Sequence, residues 1–278
     1  MPSEEKLLQN LGALCNMVRR IALEAGEIIM KYHDNLEVGH VDKKSDNSPV
    51  TLADKEAEEF IQRTLMELMP GVPMIGEEDV AAGAPPDISK SEHFWLVDPL
   101  DGTTEFIRGG TDFTVNIALV RGNKSVLGVV YAPAKGELYA GCEGRPALRW
   151  LEDTGSEKEI SVRRPPAEGL TVVASRSHGS QNKLEEYLQG FKVAKVIKRG
   201  SSLKICEIAA GKADLYPRLG PTCEWDTAAG HAVLSAAGGV LTDMQGAELT
   251  YGRCDPKFLN PDFVASSVNW LAEDEEQA

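Results

Sequence analysis

The sequence lacks any hydrophobic run long enough to cross a bilayer, and its cysteines follow no functional spacing. No window approaches the ~20 apolar residues of a membrane-spanning helix, and the first residues lack the basic and apolar segments of a signal peptide. The 5 cysteines are scattered and include no C-x-x-C pair, which argues against a disulfide framework or a zinc site. We therefore expect a cytoplasmic protein with reduced, mostly buried thiols and no membrane span.

Positive charge is also scarce. The chain carries 29 Lys and Arg against 43 Asp and Glu, for a formal net charge of −14. Proteins that bind nucleic acid need basic surfaces that release counterions from the phosphates, so we expect no nucleic-acid partner. An anionic protein that acts on a small anionic substrate needs its field reversed locally, and bound divalent cations do this.

Apolar periodicity predicts an alternation of helices and strands. Helical spacing indicates a long helix over about residues 5–32 and a second helix that stops before Pro70. Apolar runs predict strands at 94–97, 114–120, 126–131, 137–141, 171–174, 193–197, 213–216, near 240 and at 263–265. Further helices are expected near 181–188 and over 202–210 and 226–237.

These elements predict a layered α/β fold. The chain has 278 residues, of which 42% are hydrophobic, so it can bury a large core. A polar patch followed by Arg163-Arg164-Pro165-Pro166 separates the two series of elements. We place a boundary there, between an N-terminal α+β half (1–165) and a C-terminal α/β half (166–278).

The most informative motif is Asp98-Pro-Leu-Asp101-Gly-Thr103, which directly follows an apolar strand. Pro99 forces a tight turn, so both carboxylates and the Leu100 carbonyl can face one cavity. Oxygen ligands of this kind suit Mg²⁺ or Mn²⁺ better than zinc. Gly102 allows close approach of the backbone to a ligand, and a helix that opens at Thr103 would direct N–H groups at an anion. Alone, the motif is about equally typical of a local Asp-Pro-Asp-Gly turn.

Three other acids stand at the start or end of predicted elements. Glu77 follows a short apolar run that ends at Gly76, although a solvated loop of charges is the better explanation from the local sequence alone. Asp226 and Asp54 each lie near a helix start, where carboxylates commonly serve only as caps. Their joint occurrence with Asp98 and Asp101 favours a magnesium phosphatase with several ions.

The order Thr51-x-x-Asp54, Gly76-Glu77-Glu78, Asp98-Pro-x-Asp101-Gly-Thr103 and Trp225-Asp226 resembles the inositol monophosphatase superfamily of lithium-sensitive, Mg²⁺-dependent phosphomonoesterases. The resemblance spans about residues 20–266 and implies an α-β-α-β-α sandwich. It implies two or three Mg²⁺ ions, with Mn²⁺ as an alternative and Li⁺ as an inhibitor. The implied metal ligands are Glu77, Asp98, the Leu100 carbonyl, Asp101, Asp226 and, for a looser third ion or its water, Asp54.

The same resemblance implies catalytic roles. Asp101, Gly102 and Thr103 would bind the scissile phosphate. Thr103, paired with Glu77, would help orient the attacking water, and Asp54 would assist through its ion or that ion's water. A homodimer is an open alternative to a monomer, because the sequence does not determine the oligomeric state.

Three stretches resemble the 3'(2'),5'-bisphosphate nucleotidase branch of that superfamily. They are Ser175-Arg-Ser-His178, Gly200-Ser-Ser-Leu-Lys204 and Gly211 to His231. The matching positions that would hold the nucleotide are Ser175, His178, Gly200, Ser201, Lys204, Arg218 and Asp226. Lys204 and Arg218 would suit a second phosphate, although the local pattern alone favours a solvated lysine at position 204.

This resemblance implies hydrolysis of adenosine 3',5'-bisphosphate to AMP and phosphate, a step that clears a by-product of sulfate assimilation. The 5'-phosphosulfate relative of that nucleotide is a second candidate substrate. Two alternatives stay open from the sequence: an inositol monophosphatase, which the run Gly76 to Gly83 resembles more closely, and a catalytically silent nucleotide or metal sensor.

Overall fold

A computed structural model of the chain describes residues 3–34, 41–43, 49–83, 85–176, 181–252 and 257–268. The helices are α1 (Glu4–Leu8), α2 (Leu11–His33), α3 (Leu52–Leu68), α4 (Glu77–Ala81), α5 (Thr103–Ile107), α6 (Gln181–Tyr187), α7 (Leu203–Ala209) and α8 (Glu224–Ala236). The strands are β1 (Val41–Lys43), β2 (Pro49–Thr51), β3 (Met74–Gly76), β4 (His93–Asp101), β5 (Thr114–Arg121), β6 (Lys124–Ala132), β7 (Glu137–Cys142), β8 (Ala147–Leu151), β9 (Ser156–Ile160), β10 (Leu170–Ser175), β11 (Val193–Arg199), β12 (Leu215–Arg218), β13 (Val240–Asp243) and β14 (Phe263–Ser266).

Two large sheets organise the molecule. The first has seven strands in the order β3-β4-β5-β6-β7-β8-β9, and all its neighbours are antiparallel except β3 and β4. The second has five strands in the order β11-β10-β12-β14-β13, with β10 parallel to both of its neighbours. Strands β1 and β2 form a separate antiparallel pair.

Both faces of the seven-stranded sheet are buried, because alternate residues along its strands pack into two different apolar cores. In β4, Trp95 and Val97 face the core formed with α2 and α3, whereas Phe94 and Leu96 face the core formed with α7 and α8. Helix α8 packs between this sheet and β13. On the outer face of the five-stranded sheet, Tyr187 at the end of α6 packs against a third apolar cluster. The order of layers is therefore helix, sheet, helix, sheet, helix, which confirms the predicted sandwich.

Glycines let the central helix approach the sheet closely. A Cβ atom on Gly128 in β6 would lie 2.1 Å from the carbonyl oxygen of Ala229, and one on Gly141 in β7 would lie 2.7 Å from Val233 Cα. Because both neighbours are backbone atoms of α8, no side-chain rotation could relieve these contacts. The two glycines therefore set the depth at which α8 sits on the sheet.

Most of the predicted elements are present, with three differences. The first predicted helix is two helices, because the Asn10 side chain accepts a hydrogen bond from Ala13 N–H and starts α2 afresh. Strands β8 and β9 were not predicted; β9 is a polar, partly exposed edge strand without an apolar run. The short strands β1 and β2 are the third difference, because no strand was predicted in this part of the chain.

The two large sheets come from separate parts of the chain, the first from residues 74–160 and the second from residues 170–266. The boundary at 165/166 stays a prediction. The four described cysteines are free thiols, three of them buried. None of the helices in the described ranges is both long and apolar enough to span a membrane.

Candidate active site

The Asp98 motif forms an irregular turn at the end of β4. The pairing of β4 with β5 shifts register between Asp98 and Asp101. Asp98 Oδ1 accepts a hydrogen bond from the Leu100 N–H at 3.0 Å, and Gly102 adopts the left-handed conformation (φ 100°) before α5 begins at Thr103. The left-handed turn explains why glycine occupies position 102.

Carboxylates from both halves of the chain meet at this turn. One oxygen from each of Asp98, Asp101 and Asp226 lies within 4.8 Å of the other two. Asp226 reaches the turn from the first turn of α8, where its Oδ2 also accepts a hydrogen bond from the Cys223 N–H at 2.8 Å. A donor set made only of oxygens fits Mg²⁺ or Mn²⁺, whereas zinc prefers nitrogen and sulfur.

The gathered negative charge perturbs Asp226. Its side chain is partly exposed to a cleft, but the protein around the carboxyl group limits hydration. Burial, together with the charges of Asp101 and Glu77, raises the pKa of Asp226 to about 8, and the nearby Arg218 opposes this only in part. A divalent cation would remove the repulsion, so the electrostatics also favour a metal here.

Asp54 caps α3 and also contacts the turn after Asp101, while its predicted role near a third ion stays a prediction. Its Oδ2 accepts hydrogen bonds from the Thr51 N–H (2.8 Å) and hydroxyl (2.6 Å), which caps α3. Its Oδ1 accepts a hydrogen bond from the Thr103 hydroxyl at 3.1 Å, and this places Asp54 beside the turn at Gly102 and Thr103.

The sequence did not predict this contact of Thr103 with Asp54, and the pairing of Thr103 with Glu77 stays a prediction. The Thr103 hydroxyl lies within hydrogen-bond distance of Asp54 and the Leu100 carbonyl oxygen, at 3.1 and 3.2 Å. The first turns of α3 and α5 meet, whereas Glu77 starts α4 at the end of β3, at the edge of the sheet. Whether the Thr103 hydroxyl contacts Asp54 or Glu77 depends on how the helices approach each other. No local motif in the sequence indicates this approach.

A cleft of about 350 Å³ lies beside the carboxylates. Its walls include the predicted residues Glu77, Asp101, Gly102, Thr103, Ser175, Gly200, Ser201, Lys204, Arg218 and Asp226. Three further predicted residues are fully buried: Asp54, Asp98 and Leu100. His178 lies outside the described residues. The structure thus brings the predicted metal and substrate residues to one place, while their individual roles stay predictions.

The two positively charged side chains predicted for the site, Lys204 and Arg218, are held in the wall of the cleft by contacts with the protein. Lys204 is only 8% exposed, so it is not the solvated lysine that local pattern allowed. Its ammonium donates to the Ser201 carbonyl and lies 5.5 Å from the centroid of the Tyr216 ring. Ser201 itself is held at a positive φ of 49°. The fixed backbone and the buried ammonium together make this wall rigid.

Arg218 is fixed in a comparable way. Its Nη1 donates to the Ser175 hydroxyl at 2.9 Å, and its Nη2 donates to the Pro221 carbonyl at 2.8 Å. These contacts orient the guanidinium plane before any ligand arrives, which reduces the entropy lost on binding an anion.

Ser202, which the sequence did not single out, joins the two halves of the site. Its N–H and hydroxyl lie 2.6 and 2.8 Å from Asp101 Oδ2, and its hydroxyl lies 2.6 Å from the Asp226 carbonyl oxygen. The same hydroxyl accepts a hydrogen bond from the Asn116 side chain at 2.8 Å. Ser202 therefore holds one oxygen of Asp101 and leaves the other for a ligand.

A second unpredicted network centres on Asp112, which is buried. Its carboxylate accepts hydrogen bonds from the Gly200 N–H at 3.0 Å and from Arg176 at 2.8 Å, and it pairs with Lys135 at 3.0 Å. A Cβ atom on Gly200 would lie 2.8 Å from Asp112 Cβ. No sequence pattern indicates this network, because Asp112 stands in no motif and its partners are distant in the chain.

Comparisons with known proteins agree with this geometry. The chain matches the Inositol monophosphatase family over residues 13–274. It is 46% identical over 258 residues to the 3'(2'),5'-bisphosphate nucleotidase CysQ of Escherichia coli (strain K12), an alignment that covers 91% of this chain and 99% of that protein.

Solved structures lead to the same family. CysQ from Bacteroides thetaiotaomicron, a bacterial member of the inositol monophosphatase family, is 37% identical with a TM-score of 0.73, over 89% of this chain and 95% of that one. An IMPase from Thermotoga maritima is 26% identical with a TM-score of 0.74, over 94% and 93% of the two chains. The chain therefore belongs to the inositol monophosphatase family, a family of metal-dependent phosphatases.

Proposed function

We propose that this protein is a Mg²⁺-dependent 3'(2'),5'-bisphosphate nucleotidase that hydrolyses adenosine 3',5'-bisphosphate to AMP and phosphate, with the 5'-phosphosulfate analogue as a second substrate. The main support is one juxtaposition. Three carboxylates that could hold a cation lie beside a cleft whose wall contains Lys204 and Arg218. A substrate with two separate phosphates needs both features. The 46% identity to a bisphosphate nucleotidase favours the same substrate class over an inositol phosphate.

The metal would be held by Asp98, Asp101, Asp226, Glu77 and the Leu100 carbonyl, with Asp54 near a further ion. Magnesium, when bound, supplies positive charge for the phosphoryl oxygens and for the departing ribose oxygen. We propose two or three ions, replacement by Mn²⁺ and inhibition by Li⁺. The division of the chain at 165/166 belongs to the same proposal, since the first half supplies Asp98 and Asp101 and the second half supplies Asp226.

The chain's own residues position the reacting groups. The Thr103 hydroxyl donates its proton to Asp54 or to the Leu100 carbonyl. Its lone pairs can therefore accept a hydrogen bond from a water molecule and orient that water for in-line attack on the 3'-phosphorus. Asp54 can in turn accept the proton that Thr103 relays. The first N–H groups of α5 lack intrahelical partners by geometry and are suited to the scissile phosphate.

The nucleotide part would lie along the opposite wall. Lys204 still has donors beyond its bond to Ser201, and the planar guanidinium of Arg218 suits a phosphate dianion. Ser175, Gly200, Ser201 and, from outside the described residues, His178 would contact the rest of the nucleotide. The 5'-phosphate would thus be bound and the 3'-phosphate cleaved.

The direct test compares phosphate release from three substrates at equal concentration in Mg²⁺: adenosine 3',5'-bisphosphate, inositol 1-phosphate and AMP. We expect turnover of the bisphosphate to exceed that of inositol 1-phosphate at least about 100-fold. The bisphosphate has a second phosphate for Lys204 and Arg218 to bind, whereas inositol 1-phosphate does not. AMP should release no phosphate, and EDTA should abolish all turnover. Faster release from inositol 1-phosphate would instead assign an inositol monophosphatase.

A silent sensor gives another result. Binding of the bisphosphate nucleotide without phosphate release at any Mg²⁺ concentration would support that alternative and overturn the proposed activity.

A further inference from the structure

Glu58 is a buried carboxylate that the mechanism above does not use. It lies on α3, one helical turn after Asp54, and is only 4% exposed. Its Oε2 accepts a hydrogen bond from the Glu78 N–H at 3.0 Å, and its Oε1 accepts one from the Asp79 N–H at 2.9 Å. These are the second and third residues of α4, the short helix that begins at Glu77.

Glu58 provides the cap that the sequence of α4 lacks. The residue before this helix is Gly76, which has no side chain to accept the first free N–H groups. A carboxylate on a neighbouring helix replaces the missing cap and complements the partial positive charge of the helix start. The first turn of α4 is therefore fixed by α3 and not by its own residues.

Gly76 gives independent support for a close fit between these two helices. A Cβ atom at this position would lie 2.6 Å from the carboxyl carbon and Oε2 of Glu58. The backbone of Gly76 is extended (φ −107°, ψ 153°), a conformation open to any residue. The close approach of Glu58, and not backbone strain, explains the glycine.

A further contact extends the junction along α3. One turn after Glu58, the Gln62 side chain donates to Asp79 Oδ2 at 2.7 Å. Burial raises the pKa of Glu58 to about 8, while the two N–H groups act in the opposite direction. Burying a carboxyl group costs free energy that its hydrogen bonds must offset, so its presence here calls for a role.

We propose that Glu58 is a positioning residue for the metal site: its two hydrogen bonds lock the first turn of α4 and so hold the Glu77 carboxylate in place for the cation. Helix α3 then carries Asp54 and, through Glu58, also supports Glu77. One helix therefore determines the positions of both acids. This inference rests on the proposed function, in which Glu77 is a metal ligand.

The first test is Glu58→Gln, with Glu59→Gln as the matched control. A glutamine has one acceptor oxygen, so one of the two N–H groups loses its partner. Glu59 is exposed on the same helix, and its replacement should change nothing. Binding of Mn²⁺ to the metal-free proteins, followed by electron paramagnetic resonance, measures the metal affinity without turnover.

We expect the Mn²⁺ dissociation constant of Glu58→Gln to rise about 10- to 100-fold, the range for groups that support a metal ligand. Saturating Mg²⁺ should restore kcat to within about 3-fold of the wild type, with KM for the nucleotide unchanged. A folded Glu58→Gln protein with wild-type Mn²⁺ affinity would overturn the inference, as would a lower melting temperature without any change in affinity.

The second test is a double-mutant cycle that depends on the close approach. Gly76→Ala alone should displace the Glu58 carboxylate and weaken Mn²⁺ binding. In a Glu58→Ala background the added methyl group has room, so Gly76→Ala should have no further effect. Additive losses would contradict the inference. If the wild type binds Mn²⁺ and cleaves the nucleotide and the variants are unaffected, only the inference about Glu58 is refuted. A wild type without either property refutes the proposed function itself.

Discussion

At the scale of single residues, the chemistry of the site depends on Asp226. Its neighbours Asp101 and Glu77, together with burial, raise the pKa of this carboxyl group to about 8, well above the ordinary value of 3.8. Between these two values the folded, metal-free protein binds the proton more tightly than the unfolded chain does. The contribution of Asp226 to stability is therefore lost as pH rises through this window. A cation that binds here must displace the proton.

This competition predicts how metal affinity depends on pH. Below pH 8 the proton occupies the site, so we expect the Mg²⁺ dissociation constant to increase about tenfold for each unit by which pH falls. Isothermal titration calorimetry at several pH values between roughly 6 and 8, the range just below this pKa, measures the effect. Asp226→Asn should bind Mg²⁺ far more weakly and lose most of the pH dependence. An affinity that is constant across this range would contradict the role given to Asp226.

Ser202 provides a second prediction at this scale. Replacing Ser202 by Ala removes the hydroxyl that contacts Asp101 and Asp226 but keeps the backbone N–H bond. Loss of such a contact typically lowers metal affinity or activity 10- to 100-fold, and we expect kcat/KM to fall within that range. Ser235→Ala, on the exposed side of α8, is the control and should behave as the wild type. Equal activities of the two variants would argue against the bridging role.

The sequence predicted the acids of the site because each lies in a short motif at the start or end of an element. It did not predict Ser202 or Asp112, since their importance comes from partners about 100 residues away in the chain. The partner of Thr103 depended in the same way on the approach of α3 to α5. The motifs thus indicated candidate residues, and only the fold determined which of them touch.

At the scale of elements, the position of α8 decides whether Asp226 reaches the turn after β4. The helix lies on Gly128 and Gly141, where any side chain would overlap its backbone. A further hydrogen bond joins the Ser125 hydroxyl to the Ala228 carbonyl at 2.7 Å. The sequence predicted α8 and both strands but not their distance, because a glycine inside a strand can equally mark a bulge or a bend.

Gly128→Ala should therefore impair both folding and metal binding. Overpacking against backbone costs about 1–3 kcal/mol or more, and the resulting shift of α8 would move Asp226 away from Asp98 and Asp101. Urea denaturation and Mg²⁺ titration measure the two effects. Gly190→Ala, where a Cβ atom meets no neighbour, should leave both unchanged. A Gly128→Ala protein with wild-type stability would show that α8 does not rest on this strand as described.

Polar edge strands such as β9 could not be predicted from the sequence. Strands β4 to β7 were predicted because both faces are buried and nearly all their residues are apolar. Strand β9, Ser-Glu-Lys-Glu-Ile, is mostly exposed and forms only because β8 provides a template. Pairing with a neighbour can stabilise a polar strand that has no intrinsic signal of its own.

At the scale of the whole molecule, the cleft joins the two parts of the chain that carry the sheets. Asp98 and Asp101 lie at the end of β4 in the seven-stranded sheet, whereas Lys204 and Arg218 belong to the part that forms the five-stranded sheet. With a net charge of −14, the molecule would need a bound cation to bring the proposed polyanionic nucleotide to this acidic site.

Magnesium should consequently stabilise the fold. A ligand present at 100 times its dissociation constant adds about 2.7 kcal/mol to the free energy of unfolding, so we expect the melting temperature to rise with Mg²⁺ concentration. Differential scanning calorimetry of the wild type and of Asp98→Asn provides the comparison. The wild type should show the increase and the variant should lose it; the same increase in both would place the bound ion elsewhere.

Acids that are distant in the chain thus form one cluster, the proposed metal site, and the proposed pocket for a bisphosphate nucleotide lies beside it. Anomalous diffraction from a crystal soaked in Mn²⁺ and AMP plus phosphate, the two products, would locate both directly. We expect manganese peaks in contact with Asp98, Asp101 and Asp226, free phosphate at Thr103, and the 5'-phosphate of AMP between Lys204 and Arg218. Manganese bound away from these three carboxylates, or AMP bound away from the two cations, would contradict this arrangement.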